Sequence, residues 1–175
     1  MPVPSLYVIQ VRGGTEETMR RTLCSIAPAA VQDCFIPEYE TMWAMKGEWK
    51  PTRAKLFPGY IFVKTFDPAG LATALSEIPT FTRFLGANGE KFIPLSDDEV
   101  AWLNVFTTGD THVVEMSQGF IEGDRVTVIR GPLKGHEAQI AKIDRHKRIA
   151  VLDVRMFNQT KQVKVGLEIV WKRTG

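Results

Sequence analysis

Arg145-His146-Lys147-Arg148 is a run of cationic side-chain types opposed locally only by Asp144. Arg130 and Lys134 stand in the Gly-Pro loop that precedes it in the chain. Such groups bind phosphate, lysine as a point charge and arginine through a bidentate fork, with release of condensed counterions. A solvated hairpin tip carries the same composition, so the run needs a second indicator. Charge balance supplies one. Residues 111–175 hold 12 Lys+Arg against 7 Asp+Glu, whereas residues 1–110 hold 10 against 13. A basic module attached to a mildly acidic one points to a polyanionic partner for the second half.

The other groups capable of chemistry do not converge. Cys24 falls on a predicted helix and Cys34 at a predicted strand start, while His112, His136 and His146 all lie in the other half. A Cys–His pair would have to assemble across a flexible linker, which is poor pre-organisation for a nucleophile. No His/Cys pair has metal-ligand spacing, and two cysteines make no disulfide framework. Gly13-Gly14 and the 131–135 loop lack the Lys-Thr of a phosphate-binding loop. The expectation is therefore a protein that is not an enzyme and uses no cofactor or metal. Apolar runs stop at four residues, as in Leu6-Tyr7-Val8-Ile9, far short of the ~20 that span a bilayer. The N-terminus has no secretory pattern. A cytoplasmic, monomeric chain with reduced thiols is expected.

These groups need elements to hold them. Residues 6–11 predict a strand, broken by Gly13-Gly14. Thr15 is placed to cap a helix whose first turn holds Glu16 and Glu17, with Met19, Leu23 and Ile26 at helical spacing until Pro28. Residues 34–45 and 48–50 predict an irregular hairpin about Lys46-Gly47. Residues 59–66, rich in aromatic and β-branched types, form the clearest strand. Asp67-Pro68 opens a second helix with Leu71, Leu75 and Ile78 on one face and Pro79 at its end. A short strand over 81–85 and a turn at 87–89 follow. Ser96 and Glu99 form a capping box at the head of a third helix carrying Val100, Leu103 and Phe106. Strands and helices in this order predict an α+β domain over residues 1–108 with a mostly antiparallel sheet.

Residues 109–119 show no period and read as a linker. Beyond it, β-type runs at 125–129, 138–143, 149–154, 162–165 and 168–171 predict a small all-β, five-stranded antiparallel barrel over residues 120–175.

Glu122-Gly123-Asp124-Arg125-Val126, then Gly131-Pro132-Leu133-Lys134-Gly135, then Ala138-Gln139-Ile140-Ala141-Lys142-Ile143 resembles the KOW motif, a recurring RNA- or protein-binding barrel element. In the first half, Leu56-Phe57-Pro58-Gly59-Tyr60-Ile61-Phe62-Val63, Ile78-Pro79, Phe84-Leu85-Gly86 and Pro94-Leu95-Ser96-Asp97-Asp98-Glu99-Val100 resemble the NusG amino-terminal (NGN) domain. Together the two motif sets, in family order, resemble the NusG family over nearly the whole chain.

That resemblance implies a transcription elongation or antitermination factor whose NGN domain docks on the clamp helices of RNA polymerase. Phe57, Tyr60 and Tyr7 match the family's aromatic docking surface, although Leu6 stands where many members have tryptophan. Aromatics beside strands are usually core. The resemblance assigns Phe57 and Tyr60 to docking and leaves Phe62 and Phe66 inside. Two functional variants follow. General members use an apolar KOW tip, matched here by Met156-Phe157 with Asn158-Gln159 in place of the common Gly-Arg, to contact Rho or ribosomal protein S10. Specialised LoaP-type paralogues hold a nascent leader RNA hairpin, and the 145–148 run and the 165–170 ending look like theirs. In this chain RNA binding would fall to Arg130, Lys134, Arg145, His146, Lys147 and Arg148. A ribosome-associated KOW protein is the reading that makes no use of Phe57 and Tyr60. The valines at 126, 128, 151, 154, 163 and 165 favour strands and speak against a helical alternative fold of the second half.

Overall fold

The computed structural model describes residues 3–78, 82–84, 94–107, 109–157 and 159–173. In chain order the elements begin with β1 (Ser5–Val11), α1 (Glu16–Ile26), β2 (Asp33–Phe35), β3 (Glu38–Met45) and β4 (Glu48–Lys55). They continue with β5 (Tyr60–Thr65), α2 (Pro68–Ser76), β6 (Thr82–Phe84), α3 (Asp97–Phe106) and β7 (Val113–Val114). The last five are β8 (Ser117–Glu122), β9 (Arg125–Arg130), β10 (Ile140–Asp144), β11 (Ile149–Met156) and β12 (Gln159–Arg173). Pro79, the 87–89 turn and Asn158 lie outside the described residues. None of the described helices is long and apolar enough to cross a membrane.

The chain divides into two units: residues 1–36 with 57–100, and residues 37–56 with 101–175. The first holds an antiparallel sheet in the order β2-β5-β1-β6. Tyr7, Ile9, Val11, Ile61 and Val63 turn one face toward Met19 and Leu23 of α1 and Leu71 and Leu75 of α2. Val8 and Phe62 are buried as well, so β1 and β5 are apolar on both faces and read as continuous runs rather than alternating ones. Phe66, expected inside, is exposed just past the end of β5. Asp67 caps α2 by accepting from the Gly70 amide at 2.9 Å. At α3 the Ser96 and Glu99 side chains each accept from the other's backbone amide, at 3.2 and 3.0 Å. Thr15 departs from its expected part: its side chain makes no cap bond and donates instead to the Arg12 carbonyl at 2.6 Å. Glu16, expected in the first turn of α1, is buried.

The second unit contains a five-stranded sheet in the order β10-β11-β12-β8-β9. The expected number of strands, five, forms one sheet, and among the described residues no pairing joins β9 to β10. Two expectations are corrected here. The runs at 162–165 and 168–171 are parts of the single long β12. The fifth strand is β8, in the stretch read partly as linker, and it pairs with β12 in parallel. Parallel pairing is long-range and leaves no turn signature between neighbouring strands. The same stretch supplies β7, which pairs with β3. The β3–β4 hairpin thus belongs to the second unit, and β3 passes over β12 at Gly166, where a Cβ would collide with the Glu40 carbonyl.

Candidate functional site

Residues 145–148 form the tight turn between β10 and β11. The Asp144 carboxylate accepts from the Lys147 amide at 3.0 Å. That bond, helped by the Lys147 charge, holds the Asp144 carboxyl below the usual aspartate range. Arg148 adopts a left-handed backbone, φ 57°, and its carbonyl accepts from the Leu167 amide at 2.9 Å. Its guanidinium lies 4.3 Å from the centroid of the Trp49 ring, a cation–π contact that fixes both side chains. Arg145, His146 and Lys147 are exposed and Arg148 is half-buried.

The second cationic loop follows β9. Gly131 has φ 100° and Gly135 φ 83°, conformations that glycine adopts without strain. Leu133 is fully buried and its amide donates to the Ser117 hydroxyl at 3.1 Å. With Leu133 as anchor, Arg130 and Lys134 on either side are left in solvent.

Strand register shows how the loops relate. Asp144 pairs with Ile149, Ile149 with Gly166, Leu167 with Ser117, and Gln118 with Arg130. One row across the sheet therefore runs from the start of the 145–148 turn to the start of the 131–135 loop. The two loops leave that row in opposite directions, because the 131–135 loop precedes β10 and the 145–148 turn follows it, and they are four strand spacings apart. The basic residues expected to act together are therefore divided: Arg145, His146, Lys147 and Arg148 lie at one end of β10, and Arg130 and Lys134 at the other.

Met156-Phe157 lies at the other end of β11, ~24 Å away by strand rise. Met156 is 0% exposed, so it is a core residue and offers no tip surface. Phe157 is half-buried in a left-handed turn, φ 59°.

In the first unit, Pro58-Gly59 makes the turn into β5, with Gly59 at φ 86°. The Gly59 carbonyl accepts from the Val11 amide at 2.8 Å, and its amide donates to the Glu16 carboxylate at 3.1 Å. Of the three aromatics matched to a docking surface, Tyr7 is 7% exposed and Phe57 3% exposed. Tyr7 belongs to the helix-side core, and the Phe57 ring packs at 5.7 Å, tilted, on Phe62. Both are core residues. Tyr60 is half-buried and reaches the surface.

Two features escaped the sequence. Glu16 joins the start of α1 to the 58–59 turn, an interaction between residues far apart in the chain. The hairpin tip exposes Trp43, Met45 and Trp49, whose flanking of the Lys46-Gly47 turn was the available signal.

Residues 5–104 match the family described as "Transcription termination factor nusG", and residues 122–154 match the KOW motif. The Transcription termination/antitermination protein NusG of Helicobacter pylori is 24% identical over 166 residues, which cover 91% of this chain and 93% of that protein. Its counterpart from Thermus thermophilus is 27% identical over 179 residues, covering 95% and 97%. Both carry the name of a transcription termination/antitermination protein. A solved structure described as "Domain interaction in Thermotoga maritima NusG" shares the fold at TM-score 0.55 and 21% identity, covering 94% of this chain and 93% of that one. With the family match extending over more than half of its length and the KOW motif following in order, this chain belongs to the NusG family.

Proposed function

We propose that this NusG-family transcription factor is a processive antiterminator that docks on the clamp helices of RNA polymerase through its first unit and holds a nascent leader RNA hairpin through the basic loops of its second. The observation that carries the RNA half is the capped 145–148 turn, which leaves Arg145, His146 and Lys147 in solvent and Arg148 over the Trp49 ring. Its basic side chains can contact a phosphate backbone, and Arg130 and Lys134, at the opposite end of β10, form a second and separate cationic loop. On the polymerase side Tyr60 makes the contact, and the Phe57 carbonyl, which accepts from the Tyr60 amide at 3.2 Å, holds the turn that carries it. The mechanism needs no bond-making by the protein. Holding the RNA raises the factor's effective concentration at the one polymerase that emitted the hairpin, which produces operon selectivity.

Terminator read-through with purified polymerase, on templates with and without the leader hairpin, tests this. Read-through that rises only with the leader is the expected result. A response that ignores the leader supports the general-factor reading, which Phe157 at the opposite turn favours, with Rho or ribosomal protein S10 as the KOW partner.

A further inference from the structure

We propose that the tip of the β3–β4 hairpin is a stacking platform for unpaired RNA bases and forms one site with the 145–148 turn. The proposal rests on the reading of the basic 145–148 turn as an RNA surface, and it adds a class of ligand that cations alone do not select.

The ribbon is tightly defined. Lys46 at φ 51° and Gly47 at φ 80° make a two-residue turn with both central residues left-handed, the geometry that matches strand twist. Trp43 pairs with Lys50, and Ala44 with Trp49, so the two tryptophans occupy opposite faces of the ribbon. Trp43 is 62% exposed and Trp49 39% exposed. Rings of this size normally bury most of their area. Here they stand in water together with Met45 at a loop tip.

The surroundings decide the partner. Lys46, Lys50 and Arg53 are exposed around the rings, with Glu48 as the acid at the tip. Protein-binding patches are depleted in lysine at their centres. Single-strand binders instead interleave aromatic faces with cations, stacking bases on the former and tracking phosphates with the latter. Arg148 lies over Trp49 and is itself part of the basic turn, so this one arginine joins the platform to the cationic loop. Stacking between successive base pairs of a stem hides the faces that such rings would stack on, which makes nucleotides outside the paired stem the fitting ligand.

The test uses the full chain with two probes, a labelled short oligouridine strand and a blunt RNA duplex of equal length. The double variant Trp43→Ala, Trp49→Ala should bind oligouridine at least about tenfold more weakly while duplex affinity stays within about twofold. Trp43→Phe, Trp49→Phe keeps the stacking faces and should restore most of the strand affinity, which separates stacking from misfolding. Oligouridine affinity unchanged in the alanine variant overturns the platform, as does loss of polymerase co-purification with strand affinity intact, since that marks a protein surface. Arg145→Ala, Lys147→Ala reports independently on the basic turn: strong duplex binding by that variant refutes the turn's role, whatever the tryptophans do.

Discussion

The buried carboxylate of Glu16 accepts a hydrogen bond from the Gly59 amide at 3.1 Å and another from the Gly14 amide, joining the head of α1 to the turn that sets Phe57 and Tyr60. Removing a buried acceptor leaves amides without their partner and costs about 1–3 kcal/mol. Glu16→Ala should therefore lower the melting temperature by several degrees and weaken polymerase co-purification, although residue 16 is no docking residue. An unaltered thermal midpoint would show that the amides find other partners.

Gly131 and Gly13 make a controlled pair. Gly131 has φ 100°, and a Cβ there would meet the Ser117 hydroxyl at 2.6 Å, whereas a Cβ on Gly13 has nothing within 4 Å. Gly131→Ala combines a strained backbone with a collision and should destabilise by about 1–3 kcal/mol. Gly13→Ala should stay within about 0.5 kcal/mol of the parent. Denaturant midpoints decide it, and equal midpoints would mean the 131–135 loop has room to move.

What the sequence disclosed follows the range of the interactions involved. The α3 capping box, the Asp67 cap and the Lys46-Gly47 turn are settled within a few residues, and the structure forms each where the spacing predicts. Burial of Phe57 and Met156 is decided by strands distant in the chain, and composition could not separate a docking ring from a core ring. Ser117–Glu122 is short and interrupted by Gly119, so it has little strand signature of its own. It becomes a strand because β12 on one side and β9 on the other supply its hydrogen bonds. The Thr15 cap failed for a related reason: Glu16 is drawn inward to Gly59, and the Thr15 hydroxyl turns back to Arg12.

Asp144 provides a pH readout of the basic turn. Its carboxyl is held below the ordinary 3.8 chiefly by the Lys147 amide, so the folded state binds the proton less readily than the unfolded chain. The stabilisation is thus fully present above the unfolded value and is lost as pH falls through the lower folded one. In an NMR titration the Lys147 amide shift should move with a midpoint below 3.8, and Asp144→Asn should abolish that movement. A midpoint at or above the ordinary value refutes the capped turn.

Salt dependence distinguishes an RNA-binding loop from an idle one. Removing one cation that neutralises a phosphate reduces the slope of log affinity against log salt by ~0.7 for single strands and ~0.9 for duplex. Arg145→Ala with Lys147→Ala should therefore lower the slope by up to twice that amount, and Arg130→Ala with Lys134→Ala by a similar step. The two pairs lie at opposite ends of β10, so only an RNA that reaches both should respond to the fourfold variant with the sum of the two steps. If one pair changes the slope and the other does not, the RNA occupies only that one loop. Measuring binding at several salt concentrations for each variant, with the Gly13→Ala chain as control, separates these outcomes without reference to polymerase.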